Sequence, residues 1–366
     1  MITVVQCVYD LTLAGAQQVV HHLVSLCDRN RFRPLVYAFA DGPIGEDLRC
    51  RGDVVRIFGQ RAPFFDPTLA IRLSRSFRED GVEVVHTHLF GADLHASVAA
   101  RGLRRLPVVT TVHNERPDNW RQGLVGGRLL HAAQRVVPVG RRLEAALLAR
   151  WPSLRPRIRT IENGVCDSGD AVVLRDRCRS LLGLGSGDLV VGAIGRLAPQ
   201  KAPLDLVAAF AQAALQSPLA KLVMVGDGPL RGEVEAELRR TGLKNRVVMA
   251  GNVPNAARLL PGFDLLVLAS HWEGLPMVVL EAMMAGVPVV ATSVGAVGEV
   301  LRHNDTGWVV PPARPEILAD AILKLLREPG LRTRIGNAGR QEARERYSAA
   351  RMVAAYEALY DELAGG

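Results

Sequence analysis

The chain is poor in aromatic side chains. Phe, Trp and Tyr make up 5% of its 366 residues, so Leu, Val, Ala and Ile must fill its cores. A hydrophobic share of 48% supplies two substantial cores at this length. No apolar run approaches the roughly eighteen residues of a spanning helix. The opening Met1-Ile2-Thr3-Val4-Val5 enters a strand-like run directly. It lacks the basic start, apolar middle and cleavage site of a secretory signal, so a cytoplasmic location is expected. Cys7, Cys27, Cys50, Cys166 and Cys178 show no C-x-x-C spacing and no paired His, which points to single reduced thiols and to neither a metal site nor disulfides. Lysine is scarce too: Lys201, Lys221, Lys244 and Lys324 are the only four among 45 basic residues.

Positive charge is what the chain has in excess, with a net of +8. Arg dominance alone can reflect genome composition, but its distribution says more. Thirteen Arg lie between Arg101 and Arg159, against Glu115, Asp118 and Glu144, a local net of +10. Such a region suits phosphates, nucleic acid or an anionic membrane. Trp120 and Trp151 are its only aromatics, so nucleic acid is not the expected partner.

Strand-like and helix-like runs alternate along the sequence. The first half predicts strands over 2–8, 35–39, 54–58, 82–86, 108–113 and 135–139, with helices over 16–27, 44–51, 67–79, 92–101 and 127–134 between them. Alternation of this kind implies parallel pairing through right-handed crossovers. Asn163-Gly164-Val165 is a turn signal, and Gly169, Gly183, Gly185 and Gly187 follow closely, so a linker is placed there. A second series predicts strands over 189–194, 221–225, 246–249, 264–269 and 288–292, with helices over 203–216, 230–240 and 276–285 and more to the end. The expected fold class is α/β, with two Rossmann-like domains over 1–166 and 188–345 joined by a linker over 167–187. A C-terminal helix over 346–366 returns to the first domain. Two such sheets would face each other across a crevice at their strands' carboxyl ends, where open α/β folds bind ligands.

The sharpest local signal is Glu273-Gly274-Leu275-Pro276-Met277-Val278-Val279-Leu280-Glu281, which follows an apolar strand and opens a helix. Gly274 permits close backbone approach. Pro276 suits the first helical position. The exposed amides at such a start can hold a diphosphate, and the two carboxylates can each accept sugar or ribose hydroxyls. A capped core helix with a solvated Glu at each end is the plain alternative for that pair alone. Gly195-Arg196-Leu197-Ala198-Pro199-Gln200-Lys201 places two cations in a βα loop, where Arg can fork onto phosphate oxygens and Lys can act as a point charge. Gly226-Asp227-Gly228-Pro229 is a turn whose backbone could form an edge for a flat base or ribose.

In combination these motifs resemble the GT-B glycosyltransferases of the large family four. Ala285-Gly286-Val287-Pro288-Val289-Val290, Asp305-Thr306-Gly307 and Pro311-Pro312 match as well. In the first half Ala14-Gly15-Ala16, His86-Thr87-His88, Thr111-Val112-His113 and Asn163-Gly164-Val165 match. The resemblance covers almost the whole chain. It implies a retaining transferase that takes a nucleotide diphosphate sugar as donor, with no cofactor. Arg196 and Lys201 would neutralise the donor diphosphate, Glu281 would hold the ribose and Glu273 the transferred sugar. Gly15, Gly226, Asp227, Gly274, Leu275, Pro276, Met277 and Val278 would line the donor. His113 would meet the sugar's reacting face, with His86 and His88 competing for that role. Two departures stand out. Ala14-Gly15-Ala16-Gln17 replaces a Gly pair followed by Glu, and His271-Trp272 fills a slot usually given to smaller residues.

No D-x-D motif lies at a strand end of the second domain, and cations with helix amides can compensate the leaving charge, so no metal is expected. The acceptor would be a glycan, a lipid-linked molecule or a small molecule. The basic region adds an expectation of peripheral contact with the inner membrane face or a phosphate-bearing acceptor. A GT-B sugar-nucleotide epimerase and a basic nucleic-acid-binding protein are the rival readings.

Overall fold

The computed structural model describes residues 1–62, 64–103, 106–113, 120–167 and 171–365. The chain forms two compact units, Met1–Gly164 with Ala349–Gly366, and Val165–Ser348. The first carries β1 (Ile2–Val8), β2 (Phe32–Ala38), β3 (Val54–Ile57), β4 (Val84–His88), β5 (Val108–Val112) and β6 (Arg135–Pro138). They pair in parallel in the order β3-β2-β1-β4-β5-β6. The second carries β7 (Leu189–Ile194), β8 (Ala220–Val225), β9 (Val247–Gly251), β10 (Leu265–Leu268), β11 (Val289–Thr292) and β12 (Trp308–Val310), in the order β12-β11-β10-β7-β8-β9. The order is the same in both. The first strand of each half sits between its second and fourth, so the topological switch point falls between β1 and β4, and between β7 and β10.

The cores follow from the periodicity. β1 buries Val4, Val5, Cys7 and Val8, and the helix Gly15–Ser25 turns Gln17, Val19, Val20, Leu23 and Val24 inward. That helix ends two residues before Cys27, which the periodicity includes. In the second unit Leu206, Val207 and Phe210 of the helix Pro203–Gln216 share one core with Leu318, Ile322 and Leu325 of the helix Pro315–Arg327. Each fully buried Leu or Val contributes about 1.5–3 kcal/mol relative to exposure.

The expected linker over 167–187 is largely ordered structure of the second unit. Ala171–Leu181 is a helix packed on the segment Ala256–Gly262. Its Arg175 and Arg179 hold Asp264 at 2.7 and 2.8 Å. The buried Arg179 also donates to the carbonyls of Gly262, Gly185 and Ser186, so a single guanidinium pins the glycine-rich turn. Glycine content places a linker here, and this side chain ties the segment into the second unit instead. Gly169 lies outside the described residues. The last helix, Ala349–Ala364, belongs to the first unit.

Candidate active-site rims

In the second unit the chemistry collects where β7, β8 and β10 end. A narrow pocket there is lined by Gly195, Arg196, Leu197 and Lys201, with Val225 and Ala269 from the neighbouring strand ends. Lys201 Nζ lies 2.6 Å from Glu273 Oε1, and Ser270 Oγ donates to the same oxygen at 2.6 Å. The Glu273 side chain is only 6% exposed, so this carboxylate is held by the loop and not left in solvent. Arg196 is exposed and has no partner among the described residues. Among the described residues one cation is therefore engaged and the other is not.

The helix over Met277–Met284 begins one residue later than expected, with Pro276 as its extended cap residue. No side chain caps it, and its backbone bonding starts with the Val279 N–H to the Pro276 carbonyl at 3.1 Å. The amides of Met277 and Val278 are thus uncapped donors. Leu275, Pro276, Met277 and Val278 are buried. Glu281 has no hydrogen-bond or ion-pair partner among the described residues, and burial raises its carboxyl to about 7.

Two glycines set the loop packing. Gly226 has φ +129°, and a Cβ there would strike the Gly195 carbonyl. The loop Gly226-Asp227-Gly228 is joined to Arg196-Leu197 by the Leu197 N–H to the Asp227 carbonyl at 3.0 Å. Asp227 is spent on its own turn, accepting from the Gly228 amide at 2.7 Å and from Arg231 at 3.0 Å. The left-handed residue beside Glu273 is Gly295 (φ +52°), not Gly274. A Cβ at Gly295 would collide with the Glu273 carbonyl, and the neighbouring Ala296 N–H donates to the Gly274 carbonyl at 2.9 Å. Sequence reading missed Ser270, Gly295 and Gln200, whose side-chain amide donates to the Trp272 carbonyl at 3.1 Å. Ser270, closing an apolar strand three residues before Glu273, was the legible one. His271 pairs with Asp205 at 2.8 Å, while Trp272 stays 40% exposed.

The first unit's rim is built from neutral groups. His86 and His88 end β4 side by side, fully buried, with ring centroids 4.1 Å apart. His113 follows β5, and its Nε2 lies 3.2 Å from His88 Nδ1. Burial lowers His113 to about 4 and holds His86 and His88 well below the ordinary imidazole value. The remaining partners are Gln6 on β1, Thr111 on β5, and Tyr356 and Tyr360 on the last helix. Gln6 was legible as the one amide in an apolar strand; the tyrosines were not. At the end of β1, Gly15 begins an uncapped helix and is exposed. Gln17, where the family often has Glu, donates instead to Asp10 at 2.8 Å.

The basic region is divided between the two edges of the sheet: Arg141 and Arg142 open the helix Arg141–Arg150 just after β6, on the edge that carries His113. Arg101, Arg128, Arg150, His131 and Trp151 line an open basin of about 550 Å³. They lie at the carboxyl ends of their helices, which is the amino edge of the sheet, opposite the edge that carries His113. Other arginines serve the fold: Arg157 donates to the carbonyls of His131 and Ala133, and Arg135 and Arg159 pair with Glu362. The arginines that line this basin thus stand apart from the edge that carries His113. Arg104 and Arg105 lie outside the described residues.

Two family profiles match the chain, Glycosyltransferase Family 4 over residues 13–168 and Glycosyl transferases group 1 over 176–342. The N-acetyl-alpha-D-glucosaminyl L-malate synthase of Bacillus anthracis is 26% identical over 305 residues, 81% of this chain and 79% of that protein. The alpha-D-kanosaminyltransferase of Streptomyces kanamyceticus is 32% identical over 200 residues, 54% and 49% of the two chains. Among solved structures, Anabaena HepE in complex with UDP and glucose superposes with a TM-score of 0.87 at 21% identity, covering 98% of this chain and 99% of that one. With both halves matched and both sheets in the same order, the chain belongs to the GT-B glycosyltransferases of family 4 and group 1.

Proposed function

We propose that the protein moves a hexose-type sugar from a nucleotide diphosphate sugar to a hydroxyl of a glycan, a lipid-linked molecule or a small molecule, with retained anomeric configuration and without a metal ion or other cofactor. The observation that carries this reading is the rim of the second unit. There Arg196, with no partner among the described residues, the neighbouring Lys201 and the uncapped amides of Met277 and Val278 would form an anion site. A leaving diphosphate gains charge as the sugar departs, and fixed cations with backbone donors stabilise that charge most strongly away from water. Glu281 would accept the ribose hydroxyls. Glu273, already oriented by Ser270 and Lys201, would accept hydroxyls of the sugar. His113 would act on the reacting face. HepE was solved with UDP and with UDP-glucose, which makes UDP the first nucleotide to try.

A thermal-shift screen with UDP, GDP, ADP, dTDP and their sugars tests the donor assignment. One nucleotide class should raise the midpoint; no shift with any of them would overturn it. Turnover should survive EDTA, and loss restored by Mg²⁺ or Mn²⁺ would remove the metal-free part. Release of free sugar and nucleotide without acceptor would favour an epimerase. The basin of Arg101, Arg128 and Arg150 adds a surface for the anionic inner membrane face. Co-sedimentation with anionic but not neutral vesicles at low salt is the expected result.

A further inference from the structure

We infer that Gln6 and Tyr360 are positioning residues that fix which ring nitrogen of His113 carries its proton, leaving Nδ1 as the acceptor. This rests on the reading in which His113 acts on the transferred sugar.

A neutral imidazole offers one N–H and one lone pair, and a hydroxyl can both donate and accept. A primary amide is different, because its two ends are chemically distinct. The rim of the first unit strings these groups into one chain. Gln6 Oε1 lies 2.9 Å from His88 Nε2, and a carbonyl oxygen can only accept. His88 Nε2 therefore carries the hydrogen, and His88 Nδ1 holds the lone pair. His113 Nε2, 3.2 Å away, must donate to it. Its Nδ1 is then a lone pair with no partner among the described residues.

On the other side Gln6 Nε2 donates to the Tyr360 hydroxyl oxygen at 3.0 Å. Tyr360 in turn donates to His86 Nδ1 at 2.7 Å, and His86 Nε2–H donates to Thr111 Oγ1 at 2.7 Å. The pair of Thr111 and Tyr356 hydroxyls, 2.9 Å apart, closes the chain. Turning over the Gln6 amide would reverse every one of these bonds and would put the His113 proton on Nδ1. Gln6, His86 and His88 are at most 1% exposed and Tyr360 4%, so the ends of the amide cannot be satisfied by bulk water instead. The last helix thus has a task beyond packing: its Tyr360 hydroxyl accepts from the Gln6 nitrogen end and passes its own hydrogen to His86.

The two tautomers differ in function. With Nδ1 as a lone pair, His113 accepts a hydrogen bond from a sugar hydroxyl. With the proton there it would repel that hydrogen and would need an acceptor instead. A misdirected group at a reacting centre costs on the order of 100-fold in rate.

The test is ¹⁵N NMR of histidine-labelled protein near pH 7.5, with His113 assigned by difference against His113→Gln. The native enzyme should show His113 protonated on Nε2. Gln6→Leu should move His113 toward the Nδ1–H form and lower kcat roughly 10- to 100-fold, with the donor KM changed less than about twofold. Tyr360→Phe removes only an oxygen, keeps the helix packed, and should shift both readouts in the same direction to a lesser degree. It serves if Gln6→Leu does not fold. A native His113 protonated on Nδ1, or a tautomer and kcat indifferent to both substitutions, would overturn the inference. A fully active His113→Ala enzyme would remove the functional reading of His113, while the NMR result would still decide the chain.

Discussion

The two units share one strand order and place their chemistry at the same point of it, yet the two rims are made of opposite materials. The second is ionic: Lys201 against Glu273, an exposed Arg196, and helix amides at Met277 and Val278. The first is neutral: three histidines, an amide, a threonine and two tyrosines, buried and hydrogen-bonded into one chain. A charge can act over several ångströms and tolerates an approximate position. A neutral donor or acceptor works only when the right atom points the right way. A shared topology therefore fixes where a site sits and leaves open how it works.

Arg196 and Lys201 break the comparison most sharply. Arg196→Ala removes an exposed cation that has no partner among the described residues. It should weaken nucleotide diphosphate binding by about 1.5–3 kcal/mol, which is about 10- to 100-fold, and leave the melting temperature unchanged. Lys201→Ala should weaken binding similarly and also lower the melting temperature, because it leaves the buried Glu273 carboxylate without its cation. Calorimetry for affinity and thermal unfolding for stability separate the two. Equal melting temperatures in both variants would mean that the Lys201–Glu273 pair contributes nothing to the fold.

The ionic rim was the more legible of the two. Arg196, Lys201, Glu273 and Glu281 fall in short local motifs, the first three in βα loops and Glu281 in the helix that follows one, each read straight along the chain. The neutral rim joins Gln6 to Tyr360 across 354 positions, and no local pattern announces such a pair. The strand and helix series was legible for the same reason as the motifs, since periodicity is local. The linker failed because Arg179 fixes carbonyls of Gly185, Ser186 and Gly262 through a side chain that glycine counting ignores. Gly295 was missed because the Glu273 loop it supports lies over twenty residues earlier in the sequence. Gly295→Ala should cost about 1–3 kcal/mol for its strained backbone alone. It should also displace Glu273, lowering turnover. Gly242, with φ +69° and open space where a Cβ would sit, is the control: Gly242→Ala should cost about 1 kcal/mol and leave turnover intact. Equal turnover in the two variants would detach Gly295 from the site.

Acid and base should pull on the two rims in opposite directions. Burial raises Glu281 to about 7, while an ordinary carboxyl in the unfolded chain titrates near 4.3. Between those values the folded protein keeps a proton that the unfolded chain has lost, so stability falls as pH climbs through that window and stays lower above it. Glu281→Gln has no proton to lose there. It should match the native protein near pH 5 and exceed it at pH 8 by on the order of 2 kcal/mol. His113 behaves in reverse. Its folded value is lowered to about 4, against an unfolded value of roughly 6.5, so its contribution is intact above that value and is lost as pH falls toward 4. His113→Gln should soften the loss on acidification and leave the pH 8 midpoint nearly unchanged. Thermal midpoints of the three proteins from about pH 4.5 to 8.5 give both slopes in one experiment. If the Glu281→Gln curve runs parallel to the native one throughout, Glu281 ionises freely in the folded chain. It would then belong with Glu273 among the solvated or paired carboxylates, and the second rim would carry one more negative charge toward the diphosphate than its geometry indicates.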